Sequence, residues 1–292
     1  MLRSMGMRDF AIDRLRLRNG VSGGPRRLAL VTSVAAGLLA LSAILLPAQD
    51  AKPVTPDDVY DGFEASELSP VWDTSKFDPG AVTLQSEVVR AGQRAARIVL
   101  RPGDYYEPGT DGDPATERAE LMESRKLISK EGVHYEYTFS IFVPKDFPIV
   151  PTRLVIAQWK QYCPGKAPCS NDSPVLAIRY IGGQLRITQA LGPDRRIQLY
   201  RAAHDLRDKW TDFKFHVRFA PDETGRVEAW LDGTRLVDHK GVTAYAEGPT
   251  SGYPTPSVFY FKMGMYRDVM AEPMTMYFDE YRKRALTGEA SP

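Results

Sequence analysis

The chain has 292 residues, 43% of them hydrophobic, which is enough to bury a sizeable core and excludes disorder or collagen-like repetition. Lys and Arg number 38 against 37 Asp and Glu, a formal +1, so there is neither the global basic field of a nucleic-acid binder nor an acidic tail. With 14 Tyr, 23 Gly and 22 Pro, the composition favours strands and turns over helices.

In chain order, residues 1–48 read as a signal peptide or a membrane anchor. Seven arginines from Arg3 to Arg27 precede the charge-free run 28–46, LALVTSVAAGLLALSAILL. As a helix this run spans roughly 28 Å at about 1.5 Å per residue, close to a bilayer core, so length does not separate a cleaved signal from a retained span. The Arg-rich flank stays in the cytoplasm and the remainder is translocated. Arg26-Arg27 also invites a twin-arginine reading, although the residues after it fit that signal poorly. The expected localisation is secreted or periplasmic, with anchoring by residues 28–46 left open. Without residues 1–48 the chain keeps 31 basic against 35 acidic residues, a net −4.

Residues 49–59 form a lead-in linker, 60–285 one domain, and 286–292 a C-terminal tail. Within the domain the periodicity is that of strands. Val133–Val143 alternates and stops at Pro144. Cys163 and Cys169, the two cysteines, sit in the turn-rich YCPGKAPCSND; in an oxidising compartment they read as one disulfide closing a small loop. Gly182-Gly183 marks a hairpin between LAIRYI and QLRITQA, as does Asp232-Gly233 between Val227–Leu231 and Arg235–Asp238. Thr211–Ala220 places Phe213, Phe215, Val217 and Phe219 on one face and Asp212, Lys214, His216 and Arg218 on the other. Long 3.6-residue periodicity is missing, so the fold class is all-β, an antiparallel β-sandwich.

Three segments carry polar residues on a single parity. Arg118 and Glu120 share a face in PATERAELMES, Gln158 and Lys160 in RLVIAQWKQY, and Tyr260, Lys262, Gly264 and Tyr266 in VFYFKMGMYRD. Each strand can bury one side and offer the other to a groove, where Gly264 leaves room for close approach to the backbone. Arg, Gln, Lys and Tyr together suit an anionic, hydroxyl-rich ligand.

The ordered trio RAEL (Arg118–Leu121), QWK (Gln158–Lys160) and YFKMGMY (Tyr260–Tyr266) resembles the strand motifs of jelly-roll polysaccharide lyases, namely the family 7 alginate lyases and the related glucuronan and heparin-lyase-like groups. The likeness covers about residues 60–284. It implies a concanavalin-A-like β-jelly roll and β-elimination on an anionic uronic-acid polysaccharide, leaving 4,5-unsaturated ends. In that chemistry a base removes the C5 proton, an acid protonates the departing O4, and donors must neutralise the neighbouring carboxylate. The resemblance makes Tyr266 the base and acid, Arg118 and Gln158 the neutralising donors, and Glu120 an orienter of Arg118. Lys262, Tyr260, Arg179 and Tyr105 are further substrate-binding candidates, Tyr105 or its neighbour Tyr106 because the loop Gly103–Ala115 precedes RAEL; Arg153 is a candidate for outer carboxylates. Arg267 has the wrong parity for that task unless a bulge intervenes.

One position departs from the family: Lys160 stands where Q-x-H has histidine. Either Lys160 replaces the imidazole, which needs a desolvated ammonium, or Tyr266 performs both proton transfers. His134 and His204 remain candidates for a displaced imidazole. Without the three matching motifs, Arg118 and Glu120 would read as a surface ion pair and the tyrosines as surface aromatics. A non-catalytic carbohydrate-binding jelly roll is the alternative. After residue 48 the sequence holds no E-x-D-x-x-E triplet of laminarinase-type hydrolases, no G-x-S-x-G elbow and no phosphate loop. No cofactor is required for the elimination; a structural Ca²⁺ is conceivable, but no acidic cluster places one, and no metal ligand is assigned. The expected partner is the polysaccharide alone, with no nucleic acid, membrane contact only through the N-terminal segment, and a monomeric state.

Overall fold

The computed structural model describes residues 55–105, 115–164, 169, 173–192 and 195–286. The signal or anchor at 1–48, Tyr106 and the tail beyond Leu286 lie outside the described residues. Strands come in the order β1 Asp58–Asp61, β2 Trp72–Asp73, β3 Val82–Gln85, β4 Ala95–Leu100, β5 Thr116–Glu123 and β6 Ser129–Lys130. They continue as β7 His134–Phe142, β8 Leu154–Gln161, β9 Leu176–Ile181, β10 Gln184–Ala190 and β11 Arg196–Ala203. The last are β12 Trp210–Arg218, β13 Arg226–Leu231, β14 Thr234–Lys240, β15 Val258–Asp268 and β16 Met274–Ala285. Strand β1 begins two residues inside the stretch read as linker, because Asp58–Asp61 pairs with Tyr281–Arg284 of β16.

Two antiparallel sheets form the sandwich. One runs β14-β13-β12-β7-β16-β4-β3, with β1 also on β16; the other runs β11-β10-β9-β8-β15-β5-β2, with β6 also on β15. The expected alternation holds in β12, whose Phe213, Phe215 and Val217 are buried while Asp212, Lys214 and His216 are partly exposed. Both glycine-marked hairpins form. Gly182 and Gly183 have φ of 58° and 74°, and Asp232 and Gly233 of 48° and 78°, the left-handed pair that a two-residue turn needs to follow strand twist. Cys163 and Cys169 are joined as a disulfide.

The core lies between the sheets, and β15 shows how it fixes the chemistry outside. Phe259, Phe261, Met263 and Met265 are wholly buried in it, which turns Tyr260, Lys262, Gly264 and Tyr266 to the opposite face. In β8 the alternation switches once. Leu154, Ile156, Ala157 and Trp159 all belong to the core, so two consecutive residues face inward, and the pairing shifts register there against both β9 and β15. The switch leaves Val155, Gln158 and Lys160 facing outward together. The inward side of β5 ends in two carboxylates, each neutralised: Glu117 by Arg267 at 2.7 Å and Glu123 by Lys283 of the other sheet at 2.7 Å. All four side chains are inaccessible to solvent. Arg267 therefore keeps the core parity and takes no part in the outward face.

Gly264 has φ of 137°, and a Cβ there would lie 2.3 Å from the carbonyl oxygen of Ala119 and 2.8 Å from the Glu120 Cα. What approaches this glycine is strand β5 rather than a ligand. Gly264→Ala is expected to destabilise the fold by about 2 kcal/mol or more through backbone strain and overlap. Urea denaturation checks this, and an unchanged midpoint would contradict the packing described.

Candidate active site

The outward face of the β8, β9, β10, β15 and β5 strands forms a cleft of about 550 Å³. Arg118, Gln158, Lys160, Arg179, Lys262 and Tyr266 all line it, so the three motifs meet in one place. They meet because β15 is flanked by β5 and β8, with Tyr266 opposite Arg118 on one side and Val155 on the other, and Lys262 opposite Gln158. Arg153, Arg196, Ser173 and Gln198 complete one wall. The cleft thus gathers six cationic side chains, and no Asp or Glu lines it among the described residues.

Tyr266 stands between two guanidiniums. Arg118 lies 4.6 Å from its ring centroid and Arg153, from the β8 side, 4.9 Å. Arg153 is held in turn by Asp268, with an ion pair of 2.7 Å and a backbone N–H donated to that carboxylate.

Beneath the lining lies Glu120, 1% exposed. It accepts the Gln158 amide and pairs with the Lys262 ammonium at 3.3 Å. Glu120 therefore positions Gln158 and Lys262 directly, where the sequence reading made it an orienter of Arg118. Burial pushes its carboxyl up, but Lys262, then Arg118, then the Gln158 hydrogen bond outweigh that and hold it below the ordinary range. For Lys262 burial dominates, and Lys160, Arg118 and Lys76 add repulsion against the pull of Glu120, bringing it down to about 8. A carboxylate beneath an otherwise all-cationic cleft keeps two of its donors in fixed positions.

Other expected residues fall outside the cleft. Tyr105 is exposed and does not line it, although the Asp104 carbonyl beside it accepts the Arg118 N–H at 2.9 Å. Tyr260 is half-buried next to it, opposite Lys160, with the Lys262 ammonium 6.0 Å from its ring centroid. Neither candidate histidine enters. His134 is on β7 in the other sheet, and His204 bonds the Tyr200 hydroxyl at 2.6 Å beyond β11. Among the described residues no histidine lines the cleft. Lys160 lines it and is half-buried.

Arg196 and Gln198 were missed by the sequence reading. Their signal was the i, i+2 spacing in RIQLYRAA, weak because neighbouring apolar residues do not alternate cleanly. Among the described residues one set of side chains could bring three metal-type donors together: His134, His216 and Glu228, within 4.8 Å of one another on the outer face of the other sheet. There Glu228 is engaged by Arg226 and Arg235, and His216 by Glu136 at 3.0 Å, which makes the group a charge ladder across three strands.

The family model described as Polysaccharide lyase matches residues 63–282. Among solved structures, an endo-β-1,4-glucuronan lyase from the fungus Trichoderma reesei superposes with a TM-score of 0.57 at 21% identity, covering 74% of this chain and 91% of that one. An alginate lyase of polysaccharide lyase family 7 gives a TM-score of 0.47 at 14% identity, covering 72% and 84%. No curated protein matches the sequence.

The buried pair makes a signed prediction. Glu120 raises the affinity of Lys262 for its proton, so Glu120→Gln is expected to lower the Lys262 pKa further below about 8. Nitrogen NMR of the ammonium across a pH titration measures this; a rise would show that the carboxylate does not govern the lysine.

Proposed function

The chain belongs to the polysaccharide lyase family, and from that premise we propose that it is an exported enzyme cleaving a uronic-acid polysaccharide by β-elimination. The observation that carries the reading is the convergence of Arg118, Gln158, Lys262 and Tyr266 in one cationic cleft. Removing a proton beside a carboxylate generates a carbanion whose charge must be spread onto fixed donors, which typically contribute several kcal/mol. Arg118 offers the fork that matches a carboxylate, the Gln158 amide is anchored by Glu120 beside it, and Lys262 adds a buried positive charge.

Tyr266 is the proton carrier in this reading. Its phenolate takes the C5 proton, the C–H electron pair forms the C4–C5 double bond, the C4–O4 bond breaks, and the phenol returns the proton to O4. Two observations favour the single-residue route over one through Lys160. No histidine lines the cleft among the described residues to share the proton transfers, and Tyr266 stands between the Arg118 and Arg153 guanidiniums, 4.6 and 4.9 Å from its ring centroid. One group can serve both steps only where C5–H and O4 share a face of the sugar, as in glucuronate and mannuronate. Guluronate, where they lie on opposite faces, requires a second group. The fold shared with the glucuronan lyase makes polyglucuronate the first substrate to try, with mannuronate-rich alginate next and heparin-like chains third. Export rests on the Arg-rich flank and apolar run of residues 1–48.

Ultraviolet absorbance of the conjugated double bond tests the proposal, because hydrolysis and simple binding leave it dark. Wild type is expected to generate it from polyglucuronate, and Tyr266→Phe to lose about 10²–10⁴ of the rate while its melting temperature stays near wild type. Lys160→His is expected to keep turnover. Full activity in Tyr266→Phe would remove the tyrosine from the reaction, and a dead Lys160→His would transfer the base role to the lysine.

A further inference from the structure

One row of cross-strand neighbours runs the width of the cleft sheet and past the cleft itself. In register it reads Arg118, Tyr266, Val155, Arg179, Arg186, Arg201, from β5 to the edge strand β11. At about 4.8 Å per strand the row is roughly 24 Å long, and four of its six members are guanidiniums. The strand spacing is close to the advance of one sugar along an extended 1,4-linked chain.

The outer three arginines differ from three on the opposite sheet. On the opposite sheet Arg226 and Arg235 pair with Glu228 and Asp238, and Arg284 pairs with Glu136. Arg179, Arg186 and Arg201 instead bond neutral oxygens and no carboxylate among the described residues. Arg179 donates to the Thr188 hydroxyl at 3.2 Å; Arg186 and Arg201 both donate to the one carbonyl of Gln184, at 2.9 and 2.8 Å. A shared amide oxygen fixes the direction of two forks without cancelling their charge. Repulsion among these cations is felt: burial first, then Arg153, Arg196 and Arg186, holds Arg179 below the ordinary arginine value. Preorganised guanidiniums left without a counter-charge are complementary to an anion that arrives from outside.

We infer that Arg179, Arg186 and Arg201 form a carboxylate-binding track that carries a polyuronate from Tyr266 across β9, β10 and β11 to the open edge of the sheet. The enzyme thereby recognises a run of acidic sugars as well as the one whose bond breaks. The lyase reading supplies the identity of the anion; the track itself rests on the row of arginines.

The test uses the full chain, polyglucuronate and its sized oligomers, with the double variant Arg186→Ala/Arg201→Ala. KM for the polymer is expected to rise by about tenfold or more, the loss of charge-assisted hydrogen bonds, and much less for the shortest oligomer cut. The polymer KM should also depend less steeply on salt. Arg186→Lys/Arg201→Lys, which keeps charge but not the fork, is expected to fall between, and it controls for folding. Equal effects on long and short chains, or none, overturn the track while leaving the lyase assignment intact. If wild type cuts no polyuronate the lyase reading fails alone. Gel retardation in embedded polyglucuronate then decides the track: retardation of wild type but not of the alanine variant supports it, and equal mobility overturns it.

Discussion

Strand β15 has to satisfy two environments at once, and the rest of the site follows from that constraint. Four apolar side chains on one parity are fixed in the core, so the other parity has no choice but to face the cleft. Its two neighbours then decide which groups meet Tyr266 and Lys262. Because β5 and β8 pair with it in register, the guanidinium of Arg118 and the amide of Gln158 arrive within a strand spacing of the phenol and the ammonium. Slippage of either pairing by one residue would exchange a donor for an apolar side chain.

Charge is arranged by depth. The surface layer of the cleft is cationic, the layer below holds Glu120, and deeper still the Glu117–Arg267 and Glu123–Lys283 pairs close off the ends of the same strand. Glu120 carries a desolvation cost that only its cationic neighbours offset, so the carboxylate and the cleft cations depend on one another. Because Gln158 spends one amide hydrogen on Glu120, the other is left with a defined direction.

Much of this was legible in the sequence, and the reasons differ by residue. The parity of Gln158 and Lys160 against Ala157 and Trp159 holds because those four residues lie beyond the switch in β8. The double-glycine and Asp-Gly turns were readable because left-handed backbone selects those residues. The role of Glu120 was not readable, since R-x-E spacing shows a shared face but not which neighbouring strand supplies the partner. Arg196 escaped because β11 is an edge strand with little burial on either face, which removes the apolar rhythm on which strand readings rest. The place of Gly264 was visible, but its reason was not: the visitor is a neighbouring strand, known only once the pairing is known.

The doubled inward pair Ile156-Ala157 has a consequence for anyone transplanting this chemistry. A β8 copied with strict alternation from Leu154 onward would seat Gln158 and Lys160 in phase with that leucine, inside the hydrophobic layer. A graft of the three motifs onto another sandwich must therefore carry the irregularity along with the functional groups, because it sets the direction in which they point.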